Sequence, residues 1–235
     1  MKNAEIVSRD EWLKARVEHL EKEKAFTRAR DALSAARRDL PWVKVEQNYT
    51  FDSLNGKQSL ADLFDGRSQL IVYHFMYGPD WEAGCPSCSF WADNYNGTIA
   101  HLNHRDINMV AISNAPIANL QAYKKRLGWD FTWVSSLGTE FNRDYGVTFT
   151  PEEIDAGENY YNYRKGKTKL QEAPGISVFY RDQHNSVFHT YSCYARGLDM
   201  LNGAYHLMDL TPKGRDEGEL PFTMAWLRRH DSYEN

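Results

Sequence analysis

Two cysteines separated by Pro86 and Ser87 constrain this chain more than any other feature, because of what stands on either side of them. Upstream, the β-branched and aromatic run Ile71-Val-Tyr-His-Phe-Met-Tyr77 breaks at Gly78-Pro79, and downstream Ser89-Phe-Trp-Ala-Asp93 has helical character. The pattern is a strand, a loop and a Cys-x-x-Cys at a helix start. Unpaired backbone N–H groups and the positive end of the helix dipole gather there, so a thiolate at Cys85 is stabilised and its pKa falls below the free-thiol value of roughly 8.5. Pro86 suits the first helical turn, where its missing N–H costs nothing. Cys85 is then the outward nucleophile and Cys88, one turn on, the partner that closes a disulfide.

A structural metal site is the competing reading. Zinc held by four cysteines is ruled out in a chain with three. A mixed Cys/His site stays open, although no second Cys-x-x-Cys and no His-x3-His element completes it.

With 235 residues, 42% of them apolar, the chain has enough hydrophobic material for one large domain or a domain with additions. The net charge of −4 gives no electrostatic footprint for nucleic acid, and the N-terminal arginines are interleaved with acids, which argues against a membrane anchor. No apolar run approaches the roughly 20 residues needed to span a bilayer, and the first residues do not read as a signal peptide. The expectation is a cytoplasmic protein without nucleic-acid or membrane partners. Three cysteines suit a reducing compartment in which a disulfide is transient.

Ser8-Arg-Asp-Glu11 is a capping box, and apolar residues recur in threes and fours from Leu13 to Leu40, so residues 1–42 read as a helical extension. It either covers core surface or meets a second subunit in a homodimer. Residues 43–199 form the main domain: short strands at Val43–Glu46 and Tyr49–Phe51, an Asn-Gly turn, a short helix before Gly66, strands at Leu70–Met76, Ile107–Ile112 and Phe131–Val134, and a helix over Ala118–Leu127. Helical spacing also continues from Phe90 to Leu102. The β-α-β-α-β order predicts a parallel core with right-handed crossovers. Phe141–Tyr145 reads as a short helix, Thr150–Ala173 as a long inserted loop, and Ile176–Tyr180 with Val187–Tyr191 as a closing hairpin. Residues 200–235 supply a last helix near Met200–Leu210 and a tail, extended apart from Thr223–Arg229, packed on the domain.

Phe75-Met-Tyr-Gly-Pro-Asp-Trp-Glu-Ala-Gly-Cys85, Ala111-Ile-Ser113, Tyr123-Lys-Lys-Arg-Leu-Gly128 and Tyr145-Gly-Val147 follow one another as landmarks of the thioredoxin-like superfamily do in its peroxiredoxin-type branch, which the region Tyr49–Tyr191 resembles. Arg38-Asp-Leu-Pro-Trp-Val43, Gly84-Cys-Pro-Ser-Cys88, Tyr194-Ala-Arg-Gly-Leu-Asp199 and Ala225-Trp-Leu-Arg-Arg-His230 extend the likeness over almost the whole chain, which is similar to a bacterial thioredoxin-like family of unknown function. The resemblance implies an α/β fold with a central mixed sheet flanked by helices, and thiol chemistry at Cys85 and Cys88 acting on a protein or small-molecule disulfide, with no cofactor.

Two alternatives come from the same superfamily. Peroxiredoxins place a Thr three residues before the reactive Cys and bring in a distant Arg; here Glu82 takes the Thr position and Gly175-Ile-Ser177 stands where the Arg would fall. An acid there raises the thiolate pKa and offers no hydroxyl, so the expectation is at most a weak thiol peroxidase. Copper chaperones use two cysteines and a downstream His, which points to a copper-binding or redox-sensing module of Cys85, Cys88 and His189, although the cysteine spacing is one residue short. His74 and Cys193 read as core residues, and His101 and His104 as surface.

Overall fold

A computed structural model describes residues 4–166 and 168–234. The chain divides into two compact units, Met1–Pro41 and Trp42–Asn235. The first is dominated by α1 (Arg9–Arg38), one 30-residue helix rather than a series. No Gly or Pro interrupts it, so nothing forces a break. Ser8 is its N-cap: the Glu11 N–H donates to Ser8 Oγ at 3.3 Å, while the Glu11 carboxylate accepts from the Ser8 N–H at 3.0 Å. No residue of α1 is buried.

The second unit opens with β1 (Val43–Lys44), β2 (Thr50–Ser53) and β3 (Gly56–Ser59), the last two forming a hairpin whose turn ends at Gly56, φ +96°. A 3-10 turn at Asp62–Phe64 leads to β4 (Gln69–His74). Then come α2 (Pro86–Ala92), α3 (Ile99–His104), β5 (Ile107–Ser113), α4 (Ile117–Arg126), β6 (Thr132–Ser135) and α5 (Phe141–Asp144). The segment read as a long loop carries α6 (Pro151–Ala156) and a small hairpin of β7 (Asn159–Tyr161) and β8 (Arg164–Gly166). β9 (Gly175–Arg181), β10 (Val187–Tyr194), a 3-10 segment at Ala195–Leu201 and α7 (Gly203–Met208) follow.

Apart from the β7–β8 hairpin, the strands form one eight-stranded sheet in the order β1-β10-β9-β4-β5-β6-β2-β3. β4, β5 and β6 are parallel, as the alternation with helices predicts, and β9 joins β4 antiparallel, which makes the sheet mixed. This is an α/β arrangement with a central mixed sheet flanked by helices, as expected. On one sheet face Tyr73, Phe75, Leu120, Tyr123, Trp129 and Trp133 pack with Cys88. On the other, Phe51, Phe64, Leu70, Val72, Ile112, Phe141 and Phe179 form a second core. Each such side chain taken out of water contributes about 1.5–3 kcal/mol.

Several expectations need correction. Residues 150–173 are not structureless: Thr150 and Glu153 make a capping box, Pro151 sits in the first turn, and Gly157 ends α6 at φ +66°. The helical spacing from Phe90 to Leu102 is broken after Ala92 and resumes at Ile99. The last helix is only Gly203–Met208, and Thr223–Arg229 forms a turn and irregular backbone without a helix. Among the described residues, no helix is long and apolar enough to cross a membrane.

Candidate active site

The loop between β4 and α2 is pinned at both ends. The Phe75 N–H donates to the Ile112 carbonyl at 3.0 Å, and Ser113 Oγ donates to the Phe75 carbonyl at 2.6 Å. At the far end the Cys85 N–H returns to the Met76 carbonyl at 3.0 Å, and the Met76 N–H donates to Cys88 Sγ at 3.4 Å. The end of the strand and the head of the helix are thereby stapled across the motif. Gly84 is required by closeness: a Cβ there would lie 2.7 Å from Phe75 Cε1 and 3.0 Å from Tyr123 Cε1.

Cys85 is the N-cap of α2 and Pro86 its first residue, as the motif predicts. The Cys85 carbonyl accepts from both the Ser89 N–H, at 3.0 Å, and Ser89 Oγ, at 2.9 Å. Cys85 is partly exposed, whereas Cys88 is only 2% exposed beneath it. Their acidities diverge. The Cys88 thiol hydrogen-bonds to the Cys85 sulfur and, joined by the N–H groups of Cys88 and Ser87 and the Ser87 hydroxyl, brings Cys85 down to about 6 against the opposing effect of burial. Cys88 is pushed up by burial and by the thiolate it faces. One sulfur is therefore ionised near neutral pH while the other holds its proton.

Around the pair lies a hydrogen-bonded frame that the motif did not reveal. Tyr73, fully buried, donates to the Cys88 carbonyl at 3.2 Å. Tyr123 donates to the Gly84 carbonyl at 3.2 Å, and Arg229 Nη2 donates to the same oxygen at 2.7 Å. Arg229 Nε also donates to the Tyr123 hydroxyl. Tyr123 and Arg229 lie within segments that carry the family likeness, yet spacing alone could not bring residues 84, 123 and 229 together. A 330 Å³ cavity opens beside the motif, with Ser87 and Cys88 on its wall and much of the rest supplied by residues 195–224.

The other candidates lie elsewhere. His74 and His189 face the opposite side of the sheet from Cys88: His74 stacks on Phe141 and Tyr145, and His189 packs edge-on to Tyr145. For His189 the cause is a β-bulge in β10 between His189 and Tyr191, which puts His189 and Ser192 on one face and Cys193, opposite Ile176, on the other. The three-ligand set of Cys85, Cys88 and His189 is thus not assembled. Among the described residues no three His, Cys, Asp or Glu side chains gather to hold a metal ion. His189 instead lines a separate 290 Å³ cavity with Tyr145, Tyr163 and Tyr194.

His74 is buried and neutral, its pKa lowered to about 3 by burial, and its Nε2 meets Ser177 Oγ at 2.8 Å. That hydroxyl continues to Ser192 Oγ at 2.8 Å and on to His189 Nε2 at 2.7 Å. Cys193 packs against the core that contains Cys88. Glu82 is exposed, and its carbonyl accepts from the Tyr77 hydroxyl at 3.3 Å.

A family model matches residues 1–233. The chain belongs to that family, the bacterial proteins of unknown function DUF899. No curated protein matches. Among solved structures, the peroxidoxin BcpB of Mycobacterium tuberculosis is similar with a TM-score of 0.47 and 14% identity, over 69% of this chain and 93% of that one. Peroxiredoxin Q of Xanthomonas campestris is similar with a TM-score of 0.42 and 13% identity, over 72% and 91%.

Proposed function

We propose that this protein is a thiol–disulfide oxidoreductase whose working group is the Cys85–Cys88 dithiol. The observation that carries the reading is the asymmetry of the pair: a partly exposed sulfur at the helix cap, acidic through hydrogen bonds, above a buried sulfur that keeps its proton. The Cys85 thiolate attacks one sulfur of a disulfide R–S–S–R; a Cys85–S bond forms, the S–S bond breaks, and RS⁻ leaves to take up a proton. Cys88 then loses its proton and attacks Cys85, forming the Cys85–Cys88 disulfide and expelling the second thiol. Two electrons pass from the dithiol to the substrate, and the reverse sequence oxidises a dithiol partner. The proposed partner is a protein or low-molecular-weight disulfide or thiol in the cytoplasm.

Alkylation of the reduced protein across pH tests this. The expected profile has a midpoint near 6 that vanishes in Cys85→Ser, and Cys88→Ser is expected to accumulate a mixed disulfide through Cys85, seen by mass spectrometry. First labelling at Cys88, or turnover of Cys88→Ser at the parent rate, overturns the assignment.

A further inference from the structure

The cavity beside the dithiol has walls that are fixed in advance. Among the described residues, most non-glycine residues with positive φ are Asp or Asn, which tolerate that region; the others are Tyr163, Ala195 and Met224. Ala195, φ +49°, and Met224, φ +68°, both line this cavity. Backbone held in such a conformation is strained and persists only where its surroundings impose it.

Here they do. The Met224 N–H donates to Glu217 Oε1 at 3.0 Å, and the same oxygen accepts from the Tyr205 hydroxyl at 2.7 Å and Trp226 Nε1 at 2.8 Å. Tyr205, itself on the wall, is covered on one face by the Arg215 guanidinium, 4.0 Å from the ring centroid. On the other side of the cavity the Ala195 N–H donates to the Tyr161 hydroxyl at 2.9 Å, and that hydroxyl donates to the carbonyl of Pro174, a further wall residue, at 2.7 Å. Side chains outside the cavity therefore hold its lining in place.

Much of the lining thus held is apolar: Met76, Trp91, Leu198 and Met224 share the wall with Cys88. Asp199, the acid on the wall, has both carboxylate oxygens taken by Arg215 at 2.7 and 3.0 Å. A volume of 330 Å³ sits at the lower end of the roughly 300–1,000 Å³ typical of small-molecule sites. Prepaid strain and prearranged walls raise affinity by lowering the cost of ordering.

We propose, building on the dithiol reading, that this cavity is the substrate pocket and that it selects a low-molecular-weight disulfide with a bulky apolar substituent of aromatic size. The substituent occupies the cavity while its sulfur meets Cys85. Cys85 attacks that sulfur, the second thiol leaves when Cys88 closes the Cys85–Cys88 disulfide, and the substrate disulfide is the oxidant.

The test compares two neutral probes, dithiodipyridine, which is aromatic, and hydroxyethyl disulfide, which is small and hydrophilic, on the reduced full chain. Thr223→Trp places an indole at an exposed position on the cavity wall, and Met224→Gly removes a wall side chain while accepting the positive φ. Each variant is expected to raise KM for dithiodipyridine about tenfold and to change the rate with hydroxyethyl disulfide by no more than about twofold. Equal effects on both probes, or no effect on either, overturn the pocket assignment while the dithiol reading stands. If neither probe oxidises the pair in the parent protein, the dithiol reading itself fails and takes the pocket with it. A parent protein that reduces the disulfides of insulin rapidly and reacts with dithiodipyridine without saturation also overturns the small-molecule assignment.

Discussion

Glu172 lies 3% exposed beside β9, where it accepts from Asn114 Nδ2 at 3.1 Å and Thr148 Oγ1 at 2.8 Å. Burial pushes its carboxyl up from 4.5 to about 7 despite those hydrogen bonds. The folded chain therefore holds this proton more tightly than the unfolded chain does. The resulting stabilisation is fully present below about 4.5, shrinks as pH rises, and is lost above about 7. Its size is about 3 kcal/mol. Glu172→Gln is expected to keep the hydrogen bonds and flatten this part of the stability profile, so that the variant is the more stable protein at pH 8, measured by urea unfolding between pH 4.5 and pH 8. A variant with the parent's slope shows that Glu172 titrates normally. Nothing in the sequence marked this residue, because an acid in a Tyr-, Lys- and Glu-rich stretch reads as solvent-facing until the fold buries it. Cys85 and Cys88 were legible for the opposite reason: their environment is set by four consecutive residues and the strand before them.

At the level of elements, the hydrogen-bonded row from His74 through Ser177 and Ser192 to His189 ties β4, β9 and β10 together across one sheet face. Among the described residues His74 Nδ1 has no hydrogen-bond partner, so Nε2 carries the polar satisfaction of that buried ring. Ser177→Ala is expected to strand it and to cost about 1–3 kcal/mol, read as a lower urea midpoint at unchanged slope. An unchanged midpoint refutes the role of the row. The parallel β4-β5-β6 core could be read from apolar runs alternating with helical spacing, since both periodicities are local. The β10 bulge could not, because an inserted residue alters strand parity without altering the hydrophobic pattern of Val187–Tyr191. The small elements between 150 and 173 do not stand out in the sequence pattern, although Thr150-Pro-Glu-Glu153 spells a capping box and Gly157 a stop. A six-residue helix simply lacks the length over which apolar period becomes visible.

Across the second unit, the C-terminal segment ties itself to both ends of the motif helix and to the end of α4. Arg126 holds Asp231 through two bonds of 2.7 and 3.0 Å, His230 Nδ1 meets Asp93 Oδ1 at 2.7 Å, and Arg229 reaches Gly84 and Tyr123. Arg229→Ala is expected to destabilise by about 1.5–3 kcal/mol and, by freeing the Gly84 peptide, to raise the alkylation rate of Cys85. A lower melting temperature with unchanged Cys85 reactivity would limit Arg229 to a structural tie. The sheet's two outer strands have a different consequence. β1 offers only two residues, and β3, Gly56-Lys57-Gln58-Ser59, presents Lys57 with its side chain 73% exposed. A strand from another copy docking on β3 would have to dehydrate that ammonium, and on β1 it would find too short a template to zip onto. Fibril-like stacking through the sheet margins is thereby disfavoured, which protects a protein whose centre is a hydrophobic parallel sheet during the slow steps of its folding.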